Sequence, residues 1–131
     1  MALTLDNGMQ HLSSPFSVPE TLMRVKSLLL ERGLTIFCII DHSSEAEKVG
    51  LKMPPYSAHP FWQSQGRTPV TLAAPTIAID LALKALIWED AGGKVWVSFN
   101  SPEYLRQRHN VPADFLKNIS AAGPILQQAL E

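Results

Sequence analysis

The chain predicts an α+β fold, with a small, mainly antiparallel sheet of about four strands and helices packed on one face. Three observations carry that prediction. Residues 76–100 read TIAIDLALKALIWEDAGGKVWVSFN, two arms of alternating apolar residues joined by glycines, which is the pattern of a β-hairpin. Residues 18–32 repeat their apolar positions at helical spacing behind a Ser17-x-x-Glu20 capping box. Residues 35–41 are rich in β-branched and aromatic side chains and have the length of a buried strand. A length of 131 residues suits one domain, 1–131, able to bury about two thirds of its unfolded surface.

Taken in order, residues 1–15 are polar, lack a clean period and end in Ser13-Ser14-Pro15, so a short edge strand or a loose arm is expected. In the helix that follows, Val18, Leu22, Val25 and Leu29 form one stripe, and Gly33 stops it. Strand 35–41 contains Cys38, which is expected to be buried and inert. Asp41 and His42 stand at its end. Ser43 or Ser44 is placed to cap a short helix through Lys48, closed by Gly50. Residues 58–62 make a strand only at an edge, because Pro60 lacks a donor. Residues 63–67 read as a loop, and Thr68-Pro69 opens a helix of one or two turns that Pro75 ends.

The hairpin then places Ile77, Ile79, Leu81, Leu83, Ala85 and Ile87 on the same face as Val95, Val97 and Phe99. A three-residue loop, Ala91-Gly92-Gly93, keeps that parity and sets Asp90 opposite Lys94, with Gly93 supplying a positive φ. The first arm, 77–89, is long for one strand and has room for a bend near Ala82. On the other face Trp88 stands opposite Trp96, beside Leu86. Ser101-Pro102-Glu103 opens a helix with Tyr104 and Leu105 inward, and residues 112–131 form a helical segment that Gly123-Pro124 kinks or splits.

Eleven basic against twelve acidic residues, a pI near 6.4 and no basic run argue against nucleic acid as a partner. The strongest apolar run, 34–40, is too short to cross a bilayer, and the N-terminus lacks the basic start and apolar core of a secretion signal. A cytoplasmic protein without a membrane segment is the expectation. One cysteine cannot form an internal disulfide, and the scattered His11, His42, His59 and His109 predict neither a metal site nor a cofactor.

With these elements in place the chain resembles the bacterial domain-of-unknown-function 302 family from about Val18 to Val111. The resemblance rests on Arg32-Gly33-Leu34, on Ile40-Asp41-His42 followed by Glu45-Ala46 and Gly50-Leu51, and on Ala74-Pro75-Thr76 leading through Asp80-Leu81 to Trp88-Glu89-Asp90. Val97-Ser98-Phe99-Asn100-Ser101-Pro102 and Leu105 complete it. The family's Phe-Gly-Asn-Pro is replaced here by Phe61-Trp62-Gln63-Ser64, its Asp-Leu-Pro by Asp80-Leu81-Ala82, and a usual tyrosine by Phe99. The resemblance implies a compact α+β fold, often dimeric, and no established reaction.

Asp41 and His42 are the foremost polar pair, because a strand end followed by a helix start is a common setting for a site and histidine titrates near neutrality. If the family's features mark one pocket, Asp41, His42, Phe61, Gln63, Ser64 and Asp80 line it. The leading expectation is a non-catalytic homodimeric module that binds a small ligand or a protein partner there. One alternative is an enzyme with His42 as general base, Asp80 as its orienter and Gln63 or Ser64 positioning substrate. Another is an accessory protein whose site has decayed. The bland reading of His42 is a local cap, and that of the basic edge Arg106, Arg108 and His109 is a solvated helix face. Trp88 and Trp96 are covered by the chain's own helices, stack on each other in solvent or form an interface, and the resemblance favours a two-fold dimer through them.

Overall fold

The structure, a computed structural model, describes residues 2–4, 7–62, 64–81 and 83–131, with the backbone alone considered for 2–4, 62, 64–68 and 118. Expectations for Gln63 and for a bend at Ala82 lie outside the described residues. Among the described residues seven strands form one antiparallel sheet in the order β1-β2-β7-β6-β5-β3, with β4 also paired to β5. They are β1 (Ala2–Thr4), β2 (Met9–Ser14), β3 (Thr35–Ile36), β4 (Ile40–Asp41), β5 (Tyr56–Trp62), β6 (Leu83–Glu89) and β7 (Val95–Asn100). The class is the one predicted, with more strands than the expected four.

The added strands come from two places. Residues 9–14, expected as an edge or a loose arm, form an interior strand: His11 pairs with Ser98, Leu12 with Val97 and Ser14 with Val95, and β1 takes the edge. Only Leu12 and Ser14 of β2 are buried, so the alternation that marks a strand is weak in the sequence. The expected single strand 35–41 is two short ones, with Phe37, Ile39 and Ile40 at least two fifths exposed and Cys38 exposed rather than buried. These residues sit at the sheet's outer edge, where one side of the strand has no neighbour.

Pro60 explains why an interior β5 is tolerated. In an antiparallel strand a residue's N and O point to the same side, and Pro60 O accepts from Phe37 N at 3.0 Å, so its nitrogen faces the gap between β3 and β4. No ladder donor is lost, and the expected confinement of this strand to an edge does not hold.

Helix α1 (Val18–Glu31) begins where expected: Ser17 Oγ accepts from Glu20 N at 3.3 Å, and Gly33 ends it at φ +80°. It buries Val18, Thr21, Val25 and Leu29. Together with Ala122, Ile125, Leu126 and Ala129 of α5 (Ala122–Ala129), that stripe packs on Leu12, Phe61, Ala85, Ile87, Val95, Val97 and Phe99 to make the main core. Gly123-Pro124 falls in the first turn of α5, where a missing N–H costs little, so the C-terminal segment is split before it into the 3₁₀ helix Ala113–Asn118 and α5.

The hairpin matches its predicted register: Trp88 pairs with Trp96, Asp90 N donates to Lys94 O at 2.9 Å, and Gly93 has φ +82°. Its first arm is shorter than expected. Pro75–Ile79 is a 3₁₀ helix, so Ile77 is buried in a second, smaller core with Val70, Ala74, Leu105, Val111 and Ile119, whereas Ile79 is 73% exposed. Proline at the first position favours a turn that period-two counting overlooks. Before it, α3 (Ser64–Ala73) starts earlier than the predicted loop allowed and contains Pro69. Helix α4 (Pro102–His109) is capped by Ser101 and ends at Asn110 in the left-handed region, φ 52°.

Candidate functional site

The residues expected at one pocket fall into two groups. Asp41 closes β4 and caps α2 (His42–Lys48): its carboxylate accepts from Ser44 N at 3.1 Å, Ser44 Oγ at 2.9 Å and Ser43 Oγ at 2.6 Å. The cap is therefore Asp41 and not either serine. The Ser43 hydroxyl, then the Ser44 N–H and hydroxyl, lower its pKa to about 2. His42 is exposed in the first turn of α2. Phe61, fully buried, floors a cleft bordered by Asp80, Leu83, Lys84, Asn100 and Pro102, whose free volume of about 10 Å³ is that of one water. Ser64 opens α3. So Phe61 and Asp80 share a cleft, while no hydrogen bond joins either to Asp41 or His42.

Asp80 has its own partners. It follows the 3₁₀ helix 75–79, and its carboxylate accepts from Arg108 Nη1 at 3.0 and 3.2 Å and is hydrogen-bonded to His109 Nε2, both from the last turn of α4. The other ring nitrogen of His109, Nδ1, lies 3.0 Å from Thr76 Oγ1. The side chains of Asp80 and His109 are 12% and 5% exposed, so this pair is largely withdrawn from water. A carboxylate accepts only; the His109 Nε2–H therefore donates to it, which leaves Nδ1 of the Nε2–H tautomer to accept from the Thr76 hydroxyl. Asp80 is hydrogen-bonded to an imidazole, that of His109, whereas the enzyme alternative paired it with His42. The basic edge 106–109 and a carboxylate lodged in an apolar run were the sequence's only signals of this long-range pairing.

The outward face of the sheet carries a second constellation. Trp88 Nε1 donates to Ser98 Oγ at 2.8 Å, Ser98 Oγ lies 2.6 Å from His11 Nδ1, and the His11 ring meets Trp96 edge-on at 6.4 Å. Trp96 Nε1 donates to Asp90 Oδ2 at 2.9 Å, and this bond, ahead of the Lys94 N–H, holds the Asp90 carboxyl below its ordinary pKa. Tyr56 packs tilted on Trp88 at 5.7 Å, and Lys94 Nζ sits 4.5 Å from the Trp96 ring centre. Both helices of the main core, α1 and α5, lie on the opposite face. The tryptophans are thus half-buried by their sheet neighbours and held by hydrogen bonds within the chain.

A third surface lies beside His42, where Phe37, Ile39, Ile40, Val49 and Leu51 are 52, 48, 40, 72 and 64% exposed. Among the described residues, no three His, Cys, Asp or Glu side chains are grouped to hold a metal ion, and no helix is long and apolar enough to cross a membrane.

Residues 10–131 match the family described as "Domain of unknown function DUF302". A crystal structure of an uncharacterised conserved DUF302 protein from Bacillus stearothermophilus superposes with a TM-score of 0.82 at 15% identity, covering 95% of this chain and 98% of the other. The chain is also 38% identical over 111 residues to proteins named fluoride-specific ion channel FluC 1 from Brucella suis and Brucella abortus. That match covers 85% of this chain but 44% and 41% of theirs, so the chain spans less than half the length of these curated relatives.

Proposed function

The chain belongs to the DUF302 family, and from that premise we propose that it is a docking module that works as a homodimer through the outward face of its sheet, with Trp88 and Trp96 at the interface. The observation that supports this reading is the pair itself: two tryptophans opposite each other on the face that α1 and α5 do not cover, with both indole N–H groups already bonded inside the chain. Such rings offer apolar area without an unpaired donor, the composition that interface centres favour. In a weakly charged chain, face-to-face contact also brings little like-charge repulsion. The exposed apolar band beside His42 then serves a protein partner, and favours a protein over a small ligand because the cleft at Phe61 and Asp80 holds only about one water. A cytoplasmic setting is part of the reading and agrees with the exposed lone thiol of Cys38, which a reducing compartment keeps free.

Trp88→Ala and Trp96→Ala test it. Each is expected to weaken self-association about 30-fold, the loss typical of a central aromatic at an interface, with the circular dichroism of the monomer kept. Association unchanged in both variants contradicts the interface. His42→Ala separates docking from catalysis, since a docking module keeps its partner affinity within a few-fold.

The channel relatives support a second reading, in which the partner is a membrane protein. In those relatives a domain like this one accompanies a longer stretch of other chain. This domain would then act as an accessory of such a channel. Co-expression with a tagged fluoride-specific channel should retain this chain through detergent purification, and its complete loss in the wash counts against the reading.

A further inference from the structure

We propose that Thr76, His109 and Asp80 form a nucleophilic site that hydrolyses small esters, with the Thr76 hydroxyl as nucleophile, His109 as general base and Asp80 as its positioning residue. The site is independent of the docking face, and each proposal stands if the other fails. Nothing in the dimer reading uses these residues.

The geometry carries it. Thr76 is exposed at the start of the 3₁₀ helix 75–79, with Oγ1 3.0 Å from His109 Nδ1. The second nitrogen of the ring is committed to Asp80, whose carboxylate is further fixed by Arg108 at 3.0 Å. A surface hydroxyl is thus joined to a ring of which 5% is exposed and to a carboxylate of which 12% is exposed, drawn from two elements 29 residues apart. A simple tie between the 3₁₀ helix and α4 needs only Asp80 and Arg108. The additional alignment of hydroxyl, imidazole and carboxylate is the order in which nucleophile, base and orienter act in acyl transfer. Thr76 is exposed, so an ester reaches its hydroxyl from solvent, and a small acetyl ester is the class least hindered there.

The step balances without a co-reactant other than water. Thr76 Oγ1 forms a bond to the ester carbonyl carbon as its proton passes to His109 Nδ1, and the ionised Asp80 offsets the imidazolium. The tetrahedral intermediate collapses with cleavage of the carbon–alkoxy bond, and Nδ1–H gives its proton to the departing alcohol. Water then attacks the acetyl-threonine, again losing a proton to Nδ1, and acetate leaves as the Thr76 hydroxyl is restored. Ester and water give acid and alcohol.

The probe is p-nitrophenyl acetate on the full chain, with release of nitrophenol followed by absorbance and the acetyl adduct located by intact and peptide mass spectrometry. The expected result is an adduct on Thr76 and a rate that falls about 100-fold in Thr76→Val, the lower end of what general-base assistance supplies. Thr76→Ser should retain the activity, and Asp80→Asn should lower it while moving its pH profile. The circular dichroism and Tm of Thr76→Val, matched to the wild type, separate loss of the nucleophile from loss of the fold. No adduct on Thr76, or equal rates in wild type and Thr76→Val, overturns the proposal.

Discussion

At the scale of single residues, two histidines show how little a residue's type says about its role. His59 lies on the core face of β5, 1% exposed, with Nε2 3.3 Å from Ser57 Oγ and Nδ1 without a partner among the described residues. Desolvation, then the positive charge of Lys26, lowers its pKa below the ordinary value. The folded state therefore refuses a proton that the unfolded chain accepts below about pH 6.5. Stability is full above that pH and falls as the solution is acidified, by at most about 1.4 kcal/mol per pH unit from this group. Urea midpoints at pH 7.5 and 5.5 should show this slope in the wild type and a weaker one in His59→Leu, which also removes the orphan nitrogen. An unchanged slope in the variant would assign the acid sensitivity elsewhere. The alternation of β5 was partly visible in the sequence, but the burial of a histidine was not, because it depends on which face α1 covers. His42, the residue with the clearer local motif, is exposed, whereas His109, read as part of a solvated edge, is the one held by Asp80.

At the scale of elements, legibility followed the range of the interactions involved. The Ser17 cap, the Gly33 stop, the Asp90–Lys94 turn and the Ser101 cap depend on residues a few positions apart, and each stands where the sequence put it. Strand β2 depends on β7, more than eighty residues away, and its half-polar sequence hid it. Residues 35–41 were apolar enough to suggest a central strand, yet the same composition sits on an exposed edge. The entry to β2 supplies a test. Gly8 has φ +81°, its carbonyl accepts from Ser101 N at 2.8 Å, and a Cβ there would lie 2.2 Å from the Tyr104 ring. Gly8→Ala is expected to cost roughly 2 kcal/mol through backbone strain and displacement of Tyr104, seen as a Tm lower by about 8 °C. Gly92→Ala, where the nearest atom is the Asp90 carboxylate at 3.4 Å and φ is not positive, should leave Tm nearly unchanged. Equal shifts in the two variants would remove the special role of the Gly8–Tyr104 contact.

At the scale of the whole molecule, one antiparallel sheet has its main helical layer on one face and an aromatic, hydroxyl- and imidazole-bearing face on the other. The α+β class and the cross-strand tryptophan pair were legible because both follow from period-two parity across a short turn. The association of Asp80 with α4 was not, since it is set by how the second core folds the segment before β6 back onto α4. The face opposite α1 and α5 is the one proposed to dock, and the mass of the particle in solution tests that most directly. Sedimentation equilibrium of the full chain over a concentration series should return twice the 14.5-kDa chain mass, with dissociation only on dilution. A mass of 14.5 kDa at every concentration would contradict the dimer and leave Trp88 and Trp96 packed only against their own sheet.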